Sequence, residues 1–313
     1  MIDEIESLPE MIGRDPGMLL LYRRVRQAAR ASMPVLLVGE TGTGKELVAR
    51  ALHALSDRSA GPFEAINCAA VPDGIAEAEL FGVEIGAFTG ATRRRDGVLA
   101  RARGGTLFLD EICSASAAIQ AKLLRALERG ETTRLGGTRI EHTAFRLVAA
   151  TPRTPEALVA TGTLRIDLFH RLAPCRLYLP PLRERPGDIV LLAQHFLRTA
   201  ANGQGPKELG PSAMGALREY HWPGNVRELE GLMNALAVFT EDPVLTRAHV
   251  EHELTGGSEG NRAGKLKAAL EANHWNVAAA ARTLGLGRTW LYHLMRECGV
   301  ERPARTGRMT VHE

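Results

Sequence analysis

Up to about residue 180, short apolar runs alternate with amphipathic stretches, the pattern of a parallel sheet wrapped by helices. The runs predict buried strands at 35–38, 63–66, 106–109, 145–150 and 176–179. Residues 117–129 predict a helix with Ile119, Leu123, Leu124 and Leu127 along one side and with Gln120, Lys122 and Glu128 elsewhere. Beyond Pro180 the strand signal disappears. Pro180, Pro181, Pro186, Pro211 and the turn Trp222, Pro223, Gly224, Asn225 punctuate helical patterns as far as Leu254, which predicts an all-helical second domain. A linker-like stretch runs from Thr255 through Gly264. The remainder predicts an Ala-rich helix over 276–284, a tight turn at Gly285, Leu286 and Gly287, and a second helix over 288–297. Ala280 and Ala281 allow close packing around Leu284, Leu286 and Leu291; a helix-turn-helix and an ordinary helical hairpin both fit. The expected organisation is an α/β core at 1–180, a helical subdomain at 181–254, a linker at 255–264 and a terminal module at 265–313.

With 313 residues, 45% of them hydrophobic, the chain has enough apolar surface for substantial cores. Its 39 Lys and Arg against 36 Asp and Glu leave a net charge of only +3, so no overall field attracts a polyanion. The positive charge is local. Residues 256–313 hold nine Lys or Arg and five Asp or Glu, and a nucleic-acid site is expected there. The longest apolar runs, such as 18–21, fall far short of the roughly 20 residues of a bilayer span. The acidic first ten residues do not read as a secretion signal. Cys68, Cys113, Cys175 and Cys298 are scattered and form no C-x-x-C pair, which predicts neither a disulfide framework nor a zinc site and fits the cytoplasm.

Gly39, Glu40, Thr41, Gly42, Thr43, Gly44 and Lys45 follow the first predicted strand directly and open an amphipathic helix. In that context the glycines let backbone N–H groups turn onto a β-phosphate, the helix N-terminus adds its positive dipole end, and Lys45 supplies charge to the β- and γ-phosphates. Glu46 stands where Ser or Thr would ordinarily meet magnesium. Further on, Leu107, Phe108, Leu109, Asp110 and Glu111 place two carboxylates at the end of an apolar strand. Beside a phosphate loop the pair divides the labour: Asp110 holds Mg²⁺, directly or through water, and Glu111 polarises the attacking water. A strand ending in a solvated acidic turn is the alternative.

At Gly86, Ala87, Phe88, Thr89, Gly90 and Ala91 the chain resembles the AAA+ activators of sigma-54 RNA polymerase. The resemblance runs from Ile12 and Gly13 to Val300 and includes Gly39 to Glu46 as they stand, Glu79-Leu80-Phe81-Gly82, Gly104 to Ile112, Pro180-Pro181-Leu182-Arg183-Glu184-Arg185 and Trp222 to Glu230. It implies a P-loop AAA+ parallel sheet with helices on both faces, an all-helical lid, and a C-terminal Fis-type helix-turn-helix. Glu46 is the usual residue in this family, and Ile12 and Gly13 belong with the nucleotide site. The resemblance also implies that Asn67 is the switch holding Glu111 from water, that Arg165 and Arg171 are fingers offered to a neighbouring subunit's ATP, and that Arg227 reaches the nucleotide from the lid. The loop of residues 86–91 is implied to grip sigma-54, although Val83 and Ile85 stand where His and Lys are usual; a second loop over 130–139 is expected nearby.

In the terminal module, Arg288, Thr289, Trp290, His293 and Arg296 are the expected DNA contacts, with Trp290, His293 and Leu294 replacing residues common in the Fis-type domain. The expected function is that of a hexameric ATPase with ATP and Mg²⁺ that binds an upstream enhancer and remodels the sigma-54 polymerase holoenzyme from closed to open complex. No receiver domain is expected before Ile12, so control falls to a regulatory protein or to expression. Two rivals are a DNA-binding regulator of the same fold without remodelling activity, alone or in a mixed hexamer, and an unrelated AAA+ unfoldase or helicase loader. One departure stands out: where the family has Asn after Ala-Ala-Thr, this chain has Pro152 after Ala149, Ala150 and Thr151. Proline offers neither amide nor N–H. Either a phosphate sensor is lost, with Thr151 as a substitute, or Pro152 only rigidifies the strand exit.

Overall fold

The computed structural model describes residue 8 and residues 10–88, 91–200, 207–254, 259–284 and 288–301. The chain divides into two compact units, Met1–Asp188 with Gly224–Val226, and Ile189–Pro223 with Arg227–Glu313. In the first unit, five strands, β1 (Val35–Val38), β2 (Phe63–Asn67), β3 (Thr106–Asp110), β4 (Arg146–Thr151) and β5 (Cys175–Tyr178), form one parallel sheet in the order β2-β3-β4-β1-β5. Each observed strand lies within a residue or two of its predicted run.

Side chains alternate across the sheet and feed two cores. Leu36, Val38, Leu107, Leu109, Leu147 and Ala149 pack on one face with Ile119 and Leu123 of the helix Ala117–Arg129 and Leu168 of the helix Ile166–Leu172. Val35, Leu37, Phe108, Val148, Ala150 and Leu177 pack on the other with the helices Pro16–Ala29 and Lys45–Ala54. Asp15 caps the first of these by accepting from Gly17 N, with proline at the first helical position.

Two side chains overturn simple periodicity. Gln120 is buried rather than off the packed side, because its amide serves backbone groups: it donates to Ala115 O and Thr163 O and accepts from Arg165 N (each 2.9 Å). Arg146 lies inside the sheet layer, 2% exposed, and donates to Ala28 O (2.6 Å), Ala29 O (2.8 Å) and Leu52 O (3.4 Å), placing a cation where two helices end.

Among its described residues the second unit is helical, as expected, apart from Glu208–Leu209, which pairs in parallel with Val244–Leu245, a ladder too short for any periodicity to register. Trp222 is fully buried and donates from Nε1 to Leu217 O (2.8 Å). The linker expected over 255–264 is corrected from Glu259 onward, where the helix Glu259–Ala272 has already begun. Leu266 and Leu270 of that helix bury themselves with Ala280, Ala281, Leu291 and Leu294, and a helix anchored there extends backwards at little cost. Val277–Leu284 and Arg288–Glu297 complete the module, and Asn276 Oδ1 accepts from Ala279 N at the start of the former. Residues 255–258 and the turn at Gly285, Leu286 and Gly287 lie outside the described residues.

Replacing Arg146 with Met would remove the side-chain donor from Ala29 O and Leu52 O, and from Ala28 O, which keeps Ala31 N (3.1 Å). An expected loss of about 2–4 kcal/mol follows from the desolvation of unpaired acceptors. Urea denaturation of the first unit measures it; a loss below about 1 kcal/mol would show that the carbonyls find other donors.

Candidate functional site

The sheet register brings the chemical groups to one edge. Asn67 pairs with Asp110, and Val38 with both Thr151 and Tyr178, so the C-terminal ends of all five strands face the phosphate loop. The loop leaves β1 with Gly39 N donating to Thr151 O (3.2 Å). Gly42 and Gly44 take φ values of +81° and +99°, which only glycine adopts cheaply, and Gly44 hands the chain to the helix Lys45–Ala54. Thr43 Oγ1 donates to Glu40 O (2.8 Å). Lys45 is buried with Nζ 2.8 Å from Gly39 O and 3.0 Å from Glu40 O, so its ammonium lies across the mouth of the loop. Glu46 is exposed on the helix and paired with Arg50 one turn on.

Asp110 and Glu111 end β3 as expected. Glu111 has φ +51°, a costly conformation for a side-chain-bearing residue, and its N–H is held by Asp110 Oδ1 (3.0 Å). Asn67 departs from expectation. Its Nδ2 donates to Asp110 Oδ2 (3.3 Å) and its Oδ1 accepts from Ala69 N and Ala70 N, so in this structure the amide contacts Asp110 and not Glu111. The register pairing of Asn67 with Asp110 across neighbouring strands is the reason. The adjacent Cys68 thiol is pushed up to about 12, chiefly by burial and then by the Asp110 charge, which keeps it unreactive. Thr151 is fully buried, with its hydroxyl 3.3 Å from Arg153 O and 3.9 Å from Cys113 Sγ; it is engaged behind the strand end.

Ile12 and Gly13 lie where the N-terminal segment meets Asp188. Asp188 Oδ1 accepts from Arg14 N (2.7 Å) and Asp15 N (3.1 Å), and a Cβ on Gly13 would stand 2.9 Å from Tyr22 Oη and 3.0 Å from Asp188 Oδ2. Tyr22 is driven up to about 12 by burial, with Asp188 adding to it.

The arginines are spread out. Arg165 is half-exposed at the start of the helix Ile166–Leu172 and grips Asp167 through two bonds (2.7 and 3.1 Å); Arg171 is exposed and donates to Leu127 O (2.7 Å). Neither meets this chain's own phosphate loop through any of these contacts. Arg227 is exposed and belongs to the second unit.

Residues 86–88 and 91 stand at the end of a neck. Gly82–Val83 pairs antiparallel with Arg95–Asp96, and Gly86 N donates to Ala91 O (2.9 Å). Phe88 is 54% and Ile85 70% exposed, large apolar surfaces offered to solvent; Thr89 and Gly90 lie outside the described residues. The second loop is the hairpin of Glu131–Thr133 with Ile140–His142, and it docks on the first: Glu84 N donates to Leu135 O (3.0 Å), and a Cβ on Gly136 would lie 2.6 Å from Ala87 Cβ. A residue not singled out in the sequence organises this contact. Arg134, 5% exposed, binds Glu84 (3.0 Å), Asp96 (2.8 Å) and Glu141 (2.6 Å), three carboxylates from three segments.

On the last helix Arg288, Tyr292 and Arg296 are exposed at four-residue intervals, while Leu291 and Leu294 are buried, so the three share one face. Tyr292 was not among the expected contacts. The side chains of Thr289, Trp290 and His293 lie outside the described residues.

This sheet order, with a phosphate loop after β1 and paired carboxylates after β3, the strand β4 lying between them, defines a P-loop AAA+ domain. Residues 11–178 match the Sigma-54 interaction domain, 183–267 the AAA+ ATPase lid domain, and 264–297 the bacterial regulatory protein, Fis family. The chain belongs to the sigma-54 interaction domain family. It is 45% identical over 306 residues to the DNA-binding transcriptional regulator NtrC of Azospirillum brasilense, covering 95% of this chain and 63% of that protein. It is 44% identical over 298 residues to the Nif-specific regulatory protein of Klebsiella pneumoniae, covering 90% and 57%. The chain thus spans less than two thirds of the length of these curated relatives. Among solved structures, NtrX from Brucella abortus in complex with ADP is similar with a TM-score of 0.74 at 32% identity, covering 94% of this chain and 70% of that one; its complex with ATP gives 0.71 at 33%, covering 93% and 69%. Among the described residues no helix is long and apolar enough to cross a membrane.

If Arg134 holds the two loops together, Arg134→Gln should raise amide hydrogen exchange at 84–88 and 131–142 by about tenfold or more, given the strength of bonds to charged groups, and leave β3 protected. Equal exchange in parent and variant would assign the docking to the backbone bonds alone.

Proposed function

We propose that this chain is an ATP-hydrolysing transcription activator that binds upstream DNA through its terminal module and remodels the sigma-54 polymerase from closed to open complex. The observation that carries this is the exposed Phe88 on a neck braced by Arg134, in a domain matched along 11–178 to the sigma-54 interaction family. A gripping surface on a rigid mount is what a motor needs to pull on a partner. Arg288, Tyr292 and Arg296 form the face that enters DNA, the arginines supplying phosphate or guanine contacts.

In hydrolysis, the loop N–H groups and Lys45 bind the β- and γ-phosphates, and Glu111 takes the proton from the attacking water as it aligns with the γ-phosphorus. Asp110 offers one carboxylate, the donor number suited to an ion that otherwise keeps water and phosphate oxygens. Asp110 would hold Mg²⁺ with ATP, and the ion would supply charge to offset that developing on the phosphoryl group. Asn67, bonded to Asp110, ties the metal-side carboxylate to β2, and its release toward Glu111 is the step a switch requires. Arg165 and Arg171 act on a neighbour's ATP in a hexamer, where phosphate oxygens replace Asp167 and Leu127 O as their partners. Such fingers supply about 10³ to 10⁵ in rate.

A single-round open-complex assay with sigma-54 polymerase, promoter DNA and ATP tests the function; no open complex with the full chain and ATP present would refute it. Mixing Arg165→Ala with Glu111→Gln should restore some hydrolysis at interfaces that join an intact glutamate to an intact finger. Verified mixed rings without rescue would count against action in trans.

A second reading, a weak motor serving in mixed hexamers, is favoured by Thr151. Its hydroxyl is occupied with Arg153 O and Cys113, so it does not replace the side-chain amide that Pro152 lacks. Losing one such contact costs about 1–3 kcal/mol. Pro152→Asn should then raise turnover about tenfold; unchanged turnover would leave Pro152 as a rigid strand exit only.

A further inference from the structure

The segment Leu182 to Asp188 and the residue Asn225 carry more charge and more bonds than a connection needs. Arg183 meets Glu40 of the phosphate loop fork to fork, Nη2 to Oε1 at 2.6 Å and Nη1 to Oε2 at 2.8 Å. Asn225 is fully buried at φ +55°; its Nδ2 donates to Glu40 Oε2 and to Thr41 O (both 3.1 Å), and its Oδ1 accepts from Leu182 N (2.8 Å). Val226 N donates to Gly42 O (3.0 Å), and Arg185, also buried, donates to Thr43 O (3.4 Å). Three consecutive loop carbonyls, those of Thr41, Gly42 and Thr43, are thus held by groups from residues 185–226. A trans peptide sets each carbonyl opposite the next N–H. Holding Thr41 O and Thr43 O therefore aims the N–H groups of Gly42 and Gly44 the opposite way, while Thr43 N closes the turn on Glu40 O (3.4 Å).

We propose that Glu40 anchors the phosphate loop and that Arg183 and Asn225 are positioning residues for nucleotide binding that act through it. The side chain of Glu40 is engaged by Arg183 and Asn225; its task is to fix the direction of the loop's peptides. The anchor also reaches the lid by covalent continuity, since Asn225 opens the helix Asn225–Phe239 in which Arg227 is the third residue. A phosphate that reshapes the loop therefore changes the bonds of the residue from which that helix starts. The bond pattern explains the residue types: only Arg offers a planar fork to a carboxylate, and Asn supplies both a donor and an acceptor while tolerating a left-handed backbone.

The proposal rests on the assignment of residues 39–45 to nucleotide, and the test separates the two. In the full chain, binding of N-methylanthraniloyl-ADP and steady-state ATP hydrolysis are measured for the parent, Arg183→Met, Arg183→Lys, Glu40→Gln, Asn225→Asp and the double variant Glu40→Gln/Arg183→Met. Asn225→Asp keeps shape and backbone but turns a donor into a second carboxylate facing Glu40. Expected are a rise of about tenfold or more in Kd for Arg183→Met and Asn225→Asp, an intermediate rise for Arg183→Lys, and a double variant no weaker than its weaker parent. The effect on KM for ATP should exceed that on kcat at least threefold, about 0.65 kcal/mol at 25 °C. Should Arg183→Met fail to fold, Arg183→Lys and Asn225→Asp carry the measurement. Affinities within twofold of the parent, additive effects in the double variant, or a reduced number of sites with unchanged Kd would overturn the proposal while leaving the nucleotide site intact. A parent that binds no probe would overturn the nucleotide assignment and this proposal with it.

Discussion

Burial of the five-stranded sheet on both faces is the constraint on which the rest depends. Alternate residues of β1, β3 and β4 feed two separate cores, so neither face has room for a polar site. Chemistry is driven to the strand ends, where backbone must turn and N–H groups are available. Phosphate loop, paired carboxylates and Asn67 meet there because the register aligns Val38, Thr151, Asn67 and Asp110 at one edge.

Several of the charged and polar groups expected to serve the nucleotide are held by partners within the chain. Lys45 lies on the loop's own carbonyls, Arg165 on Asp167, and Asn67 on Asp110. Exposed pairs such as Arg165 with Asp167 are worth little in water. The buried or half-buried sets differ. Arg134 between three carboxylates, Arg146 on three carbonyls, and Glu40 between Arg183 and Asn225 fix geometry, since each joins segments far apart in the chain through several bonds at once. The molecule thus holds some charged groups by exposed or single bonds and others by several bonds at once.

Much of this was legible in the residues. Strand positions, the helix Ala117–Arg129, the phosphate loop and the Asp110–Glu111 pair follow from periodicity and turn chemistry, which are local. Gln120 shows the limit of that approach: its polarity argued for the surface, whereas three backbone groups drew it inside. The linker expected at 255–264 gave way from Glu259 onward for a related reason, because glycine-rich composition says nothing of Leu266 and Leu270 anchoring the helix that begins there.

By itself, then, the sequence determined which segments are strands and helices, where the phosphate loop lies and which carboxylates end an apolar strand. These depend on side chains a few positions apart. The tertiary structure alone decided the strand order, the pairing of Asn67 with Asp110, the docking of two loops through Arg134, and the hold of Arg183 and Asn225 on Glu40. Those contacts join residues 43, 50, 143 and 185 positions apart, and no local pattern encodes a partner at such distances; only the closed fold brings them within bonding range.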